Sequence, residues 1–346
     1  KPEADSQGET DASICLFPRE ELGKAELRTY VTENAYGVPL ARLGGAPWSL
    51  ERPEVGALMD KIRSRGVPLT AFAGTRPLRG ILSGLNEAFM VDDSTRERLL
   101  RDDPRSEELL HPYLRGQDIK RWVPEWAGLW MIVLKSSENQ AWPWSDAGDA
   151  AEETFARTYP AVYGHLKPFE PGLRKRQDQG RYWWELRSCT YYEAFDRPKI
   201  IHTDIAWRPQ FAIAREPVYL VNTAYLWPTD DLYLLAVVNS PLMWAYMWRC
   251  SQHAKDEALR LIYSFIETLP IAQPTNGIRT KVEPAVARLI ELMRKQKATV
   301  GQLIDWLGVE FNIVGTASRP AELAALDEDA FVRAERHRRP RLAGRL

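Results

Sequence analysis

The pattern of apolar and polar positions divides this chain into stretches of different character. Residues 14–17 form a short apolar run, and Leu22, Ala25 and Leu27 fall at helical spacing within 20–30. Pro47-Trp48-Ser49 opens a new unit, with Ser49 placed to cap a helix. Its apolar positions Val55, Leu58, Met59 and Ile62 repeat until Gly66-Val67-Pro68 ends it. From 69 to 134, Gly74, Gly80 and Gly84 punctuate short runs; 88–91 and 129–134 read as strands, with a helix starting at Ser94. Residues 151–166 read as a helix broken at Pro160, and 182–186, 199–201, 210–214 and 219–222 as short strands between turn signals. After Asp230 the pattern turns helical, over 232–239, 242–250 and 258–268. A long helix follows over 282–307, with the stripe Val286, Leu289, Ile290, Met293, Val300, Leu303, Ile304 and Leu307.

This order predicts an α+β fold: an irregular, mostly antiparallel β domain, then a helical region with one long helix, and no βαβ repeat. The expected divisions are 1–43, a linker and the tail of a preceding domain; 44–230, the β-rich domain; 231–314, a helical bracing or docking region; and 315–346, a basic tail. The boundary before the β-rich domain is expected near Leu43.

Composition narrows the class. At 45% hydrophobic and 27% charged over 346 residues, the chain has an ordinary globular make-up. Its polar opening, KPEADSQGETDA, reads as a linker and not as a secretory signal. No apolar run approaches the roughly eighteen residues needed to cross a bilayer, so a cytoplasmic protein without membrane contact is expected. Cys15, Cys189 and Cys250 lie too far apart for a zinc module or a disulfide framework. His111, His165, His202, His253 and His337 show no paired metal spacing, and no metal is expected. The net charge of -1 exerts no global pull on nucleic acid, so any such binding rests on locally clustered cations. Thirteen Trp and thirteen Tyr supply both core and stacking surfaces.

Catalytic patterns are missing. No Walker loop, no Gly-x-Ser-x-Gly elbow and no Pro-Pro dipeptide occur, and Gly44-Gly45 follows no strand. His202-Thr203-Asp204 reads as a strand end with ordinary hydrogen bonds. Asp92-Asp93, Asp102-Asp103 and Asp230-Asp231 read as turns and helix caps. No catalytic residue is expected within the chain.

The stretch RGILSGLNEAFMV at 79–91 is the most informative. Gly80 and Gly84 around Ser83 let the backbone turn tightly or approach a ligand closely, and Asn86 carries an amide able to donate and accept at once. Taken alone, it reads first as a glycine turn feeding a core strand. Together with other blocks, it resembles the Gly-x-x-Thr/Ser-Gly-x-Asn-x-Ala-Phe signature of the TaqI-like C-terminal specificity domain. That domain occurs in type IIG restriction–modification enzymes and adenine-specific DNA methyltransferases. LLHPYLRGQDIKRW at 109–122, Tyr159-Pro160 with Leu166, LRKR at 173–176 and RYWWEL at 181–186 resemble its next blocks. FDRPKII at 195–201, LYLLAVVNSPL at 232–242 and FIETLPI at 265–271 follow in the family's order. The similarity runs over roughly residues 45–310; Ser83 stands where Thr is more usual, and Gln117 where Arg or an acidic residue is.

The resemblance implies a module that recognises double-stranded DNA for a methyltransferase catalytic domain supplied in cis or in trans, within restriction–modification or another phage-defence system. No cofactor is expected in this chain, and S-adenosylmethionine is expected for the parent adenine-specific methyltransferase. For phosphates the candidates are Arg115, Lys120, Arg121, Arg174, Lys175, Arg176 and Arg181; for bases they are Asn86, Arg79, Arg187, Arg208 and Gln210. Trp183, Trp184 and Trp207 are placed to pack on sugars or fill a distorted duplex, although core positions are the commoner fate of such residues. The rival readings are a helical protein-interaction scaffold without nucleic acid, and a carbohydrate-binding module. The second lacks its carboxylate pair.

Overall fold

The computed structural model describes residues 11–18, 23, 26–40 and 51–311. The chain separates into two compact units, one of Lys1–Gly74 with Ser264–Gln273, the other of Thr75–Tyr263 with Pro274–Leu346. The boundary expected near Leu43, the Ser49 cap and the basic tail 315–346 lie outside the described residues.

In the first unit, Asp11–Ile14 pairs antiparallel with Tyr36–Pro39. Helix Leu27–Asn34 lies between them, and the Glu26 carboxylate accepts from the Arg28 and Thr29 amides at 3.3 and 2.9 Å. The stripe at Val55, Leu58, Met59 and Ile62 does form a helix, Pro53–Arg65, with Met59 buried. Strand Gly66–Pro68 then pairs antiparallel with Pro270–Ala272. A β-carbon on Gly66 would stand 2.6 Å from the Pro270 carbonyl carbon, so this register admits only glycine. The block 265–271 therefore belongs to this unit. The helix expected over 258–268 is reduced to a short one, Tyr263–Ile266, because Leu259–Arg260 are taken up by a strand.

The second unit holds the larger core. One four-stranded antiparallel sheet runs in the order Ala212–Ala214, Lys199–Thr203, Ala224–Trp227, Leu78–Arg79. Every residue of its two central strands is buried, including Lys199, His202 and Thr203, and the Lys199 ammonium donates to the Phe195 carbonyl at 2.7 Å. A second four-stranded sheet runs Tyr219–Leu220, Leu110–Leu114, Leu129–Ile132, Met90–Asp92; its first pair is parallel and the others antiparallel. A third, of three strands, joins Gln252–His253, Leu259–Arg260 and Ile205–Ala206 antiparallel. The fold is α+β and mostly antiparallel. The long helix spans Asn276–Phe311 and buries Val286 and Ile290; Arg279 at its start pairs with Asp231 at 2.9 Å, on the N-cap of helix Leu232–Val238. Among the described residues no helix is long and apolar enough to cross a membrane.

Two expected strands are something else. Residues 88–91 begin as a one-turn helix, Asn86–Phe89, before strand Met90–Asp92. Residues 182–186 form a turn, because two buried charges organise it. The Glu185 carboxylate accepts from the Trp144 indole at 2.9 Å, from the Ser137 amide at 3.1 Å and from the Ser137 hydroxyl. The Arg176 guanidinium donates to the carbonyls of Ser83 at 2.6 Å, Trp183 at 2.8 Å and Glu185. The aromatic rings that suggested a strand stack here as core instead: Tyr182 on Trp184 at 4.8 Å and Phe155 on Trp184 at 5.0 Å. Gly80 fits the plainer of its readings, since a β-carbon there would collide with the Val221 carbonyl oxygen at 2.0 Å.

Burial pulls Arg176 down to about 10, which leaves it cationic at neutral pH. Truncating it would strand several buried carbonyls. Arg176→Ala is expected to lower unfolding free energy by roughly 3–5 kcal/mol in urea titration. A loss under about 1 kcal/mol would contradict the role given to this side chain.

Candidate nucleic-acid interface

A cleft of about 640 Å³ opens in the second unit between two pieces of chain far apart in sequence. One wall carries Gly116, Gln117 and Lys120; the other carries residues from Thr203 to Gln210, with Thr223 at its edge.

The first wall is a single 3-10 turn, Gly116–Asp118. Asp118 is buried and fixes the turn by accepting from the Arg115 backbone amide at 2.8 Å, and from Arg115 Nε and Nη2 at 3.0 and 2.9 Å. With its amide oxygen toward Arg115, Gln117 accepts from Nη1 and Nη2 at 3.1 and 2.9 Å. Arg115 thus braces the turn that presents Gln117 and Lys120.

The second wall continues from strand Lys199–Thr203. The Asp204 amide donates to the Thr223 carbonyl at 2.8 Å, and the Leu261 amide donates to the Asp204 carbonyl at 2.6 Å. One carboxylate oxygen of Asp204 stands 3.7 Å from Arg260; the other is buried and has no hydrogen-bond partner among the described residues. Trp207 is 60% exposed, and its indole N–H donates to the Asp256 carbonyl at 3.2 Å. Asp256 and its neighbour Glu257 both hold left-handed backbone, at φ 56° and 60°. That conformation costs a non-glycine residue about 1–2 kcal/mol.

The walls are tied together behind the cleft. Trp122, left-handed at φ 78°, donates its amide to the Phe211 carbonyl at 2.8 Å and accepts from the Ile213 amide at 3.0 Å. The fully buried Asn239 side chain brackets Phe211, donating to its carbonyl at 2.9 Å and accepting from its amide at 3.2 Å. Arg121 donates to the Asn239 carbonyl at 2.7 Å and lies over the Trp122 ring at 4.9 Å. Nothing in the sequence singled out Asn239 as a positioning residue beyond its place in the block 232–242.

Of the residues expected from sequence, Lys120, Arg208 and Gln210 line this one cleft, with Arg115 behind it. Arg79 is exposed on the strand paired with Tyr225 and donates to the Asn222 carbonyl at 2.5 Å, next to Thr223. The others lie elsewhere. Asn86 is exposed, accepting from Ser83 Oγ at 2.6 Å; Arg187 pairs with Asp178 at 3.3 Å; Arg181 donates to the Ser145 carbonyl at 2.9 Å; Lys175 is exposed. In the expected 174–176 patch, Arg174 pairs with Glu170 at 2.7 Å and Glu152 at 3.2 Å with its side chain about half exposed, and Arg176 is buried with its guanidinium on main-chain carbonyls. Trp183 and Trp184 are core, whereas Trp207 is surface.

Residues 111–271 match the TaqI-like C-terminal specificity domain. The match covers 161 of the 346 residues, and over that segment the chain is similar to that domain. Among solved structures, the chain is similar to the type IIL restriction–modification enzyme MmeI in complex with DNA. The TM-score is 0.45 at 13% identity, over 75% of this chain and 36% of that one. It is also similar to the type IIG restriction endonuclease BpuSI, with a TM-score of 0.41 at 12% identity, over 67% of this chain and 28% of that one. The chain thus spans about a third of the length of these structures. Comparison with curated proteins gives no match.

His202 lies under the second wall, between the Phe211 and Tyr225 rings at 5.0 and 5.3 Å. Burial holds it down at about 4, so it is neutral in the folded domain while the unfolded chain binds a proton below about 6.5. Between those values the unfolded state carries more protons, and stability falls as pH falls. The expected contribution is about 3 kcal/mol lost between pH 7 and pH 4. In denaturant titrations across that range, His202→Phe should flatten the acid limb; an unchanged slope would contradict this assignment.

Proposed function

We propose that this chain is the DNA target-recognition module of an adenine-specific (N6) DNA methyltransferase or type IIG restriction–modification enzyme. In this reading it binds duplex DNA and presents the target adenine to a catalytic domain supplied in cis or in trans. The observation that carries the reading is one of position. Lys120, Arg208 and Gln210 converge on a cleft whose lining residues all fall within 111–271, the segment matched to the specificity domain.

The division of labour follows from side-chain chemistry. Lys120 is a compact cation suited to a phosphate oxygen, which positions the duplex without reading it. The Arg208 fork suits the paired acceptors of guanine, and the Gln210 amide suits adenine, with one donor and one acceptor. Both sit on a wall held from behind by Asn239 and Trp122, so little freedom remains to be lost on binding. S-adenosylmethionine and the methyl transfer belong to the partner catalytic domain, since this sequence has neither a glycine-rich cofactor loop nor a Pro-Pro-aromatic tetrapeptide.

Selection of duplexes from a randomised pool tests the reading. The chain should recover a defined site, with log K falling linearly against log salt. Lys120→Ala should reduce that slope by about 0.9 and leave the recovered sequence unchanged. Arg208→Ala and Gln210→Ala should each relax one position by about 1–3 kcal/mol, and Arg174→Ala should alter neither. Failure of the wild-type chain to retain any duplex at low salt contradicts the proposal.

A further inference from the structure

Trp207 stands out among the described tryptophans. Its 60% exposure exceeds that of Trp126, Trp248 and Trp306, at 39%, 36% and 53%. It is also held in place: the indole N–H bond to the Asp256 carbonyl fixes one edge of the ring, and the two left-handed residues at 256 and 257 shape the turn that offers that carbonyl. Ile205, 42% exposed, flanks it from the strand paired with Leu259–Arg260. A large apolar ring, left in solvent yet fixed at its edge, is a surface prepared for a flat partner.

The surroundings say what kind. Trp207 shares its cleft with Lys120, which suits a phosphate, and with Arg208 and Gln210, which suit base edges. An aromatic face beside cations and an amide matches the parts of a nucleotide, namely base plane, phosphate and base edge. A base plane is covered by its neighbours in an intact duplex, so the ring can reach one only at a step that has been opened.

Resting on the DNA-recognition reading above, we infer that Trp207 stacks on a nucleobase at a step of the duplex opened on binding. The ring replaces one base–base stacking contact, and Lys120 holds a flanking phosphate. No bond is made or broken. Trp207 is on this account a residue that determines which steps the chain accepts, favouring those that unstack at least cost, such as pyrimidine–purine steps.

The probe is the duplex that the wild-type chain recovers from the randomised pool, with 2-aminopurine scanned through its positions. Wild type should change 2-aminopurine fluorescence at one step and at no other. Trp207→Ala should abolish that change and weaken binding roughly ten- to hundred-fold, while Trp207→Phe keeps most of both. Circular dichroism and thermal melts of both variants should match wild type, because the ring is exposed. If wild type binds the recovered duplex and Trp207→Ala binds it equally tightly with the same fluorescence profile, the inference fails and the recognition reading stands. If the wild-type chain recovers no duplex, both fall.

Discussion

The candidate interface depends on how the backbone of Phe211 is held. Its carbonyl accepts from Trp122 and Asn239, and its amide donates to Asn239, so one residue of the second wall is pinned from two sides. Trp122 follows directly on the segment that carries Lys120, and Asn239 ends the helix that Arg279 ties to the long C-terminal helix. Through these contacts the first wall, the second wall and the helical region form one construction. A buried asparagine with both ends of its amide satisfied is a specific fastener, because an apolar replacement would leave the Phe211 amide and part of its carbonyl unpaired in a dry environment. This side chain joins the helix Leu232–Val238 to the second wall.

Charge in this molecule is arranged by pairing and not by quantity. Its net charge of -1 conceals cations of very different standing. Arg174 is spent on Glu170 and Glu152, Arg115 on Asp118, and Arg176 on main-chain carbonyls in the core. Lys120 and Arg208 line open space. Counting basic residues along the sequence picks out 115–121 and 174–176 alike, although the pairings within the two runs differ. Partners distant in sequence decide which arginine is available, and no local pattern reports them.

What was legible in the sequence follows the range of the interactions involved. Helix Pro53–Arg65, the break at Pro160 and the long helix were readable, because helical stripes and proline act locally. The strands read at 199–201 and 129–134 are found as Lys199–Thr203 and Leu129–Ile132, since short runs bounded by turn signals also act locally. Residues 182–186 were not, because a turn governed by Glu185 and Arg176 reads locally like a β run of aromatic residues. The strand Leu259–Arg260 was hidden in the same way, since its partner Ile205–Ala206 lies some fifty residues upstream and a helical period happened to fit. At the cleft, Lys120 was named from within a family block and Arg208 and Gln210 from side-chain type alone, whereas Asn239, Asp204 and Arg260 have contacts visible only once the chain is folded.

The central claim is that the cleft between 116–120 and 203–210 is where duplex DNA lies. Amide hydrogen exchange on the chain, alone and saturated with its recovered duplex, reads this directly. The account predicts new protection concentrated in those two segments and at the Asp256 turn, with 170–176 unchanged. Protection centred on 170–187, with the cleft segments exchanging as in the free chain, would contradict it.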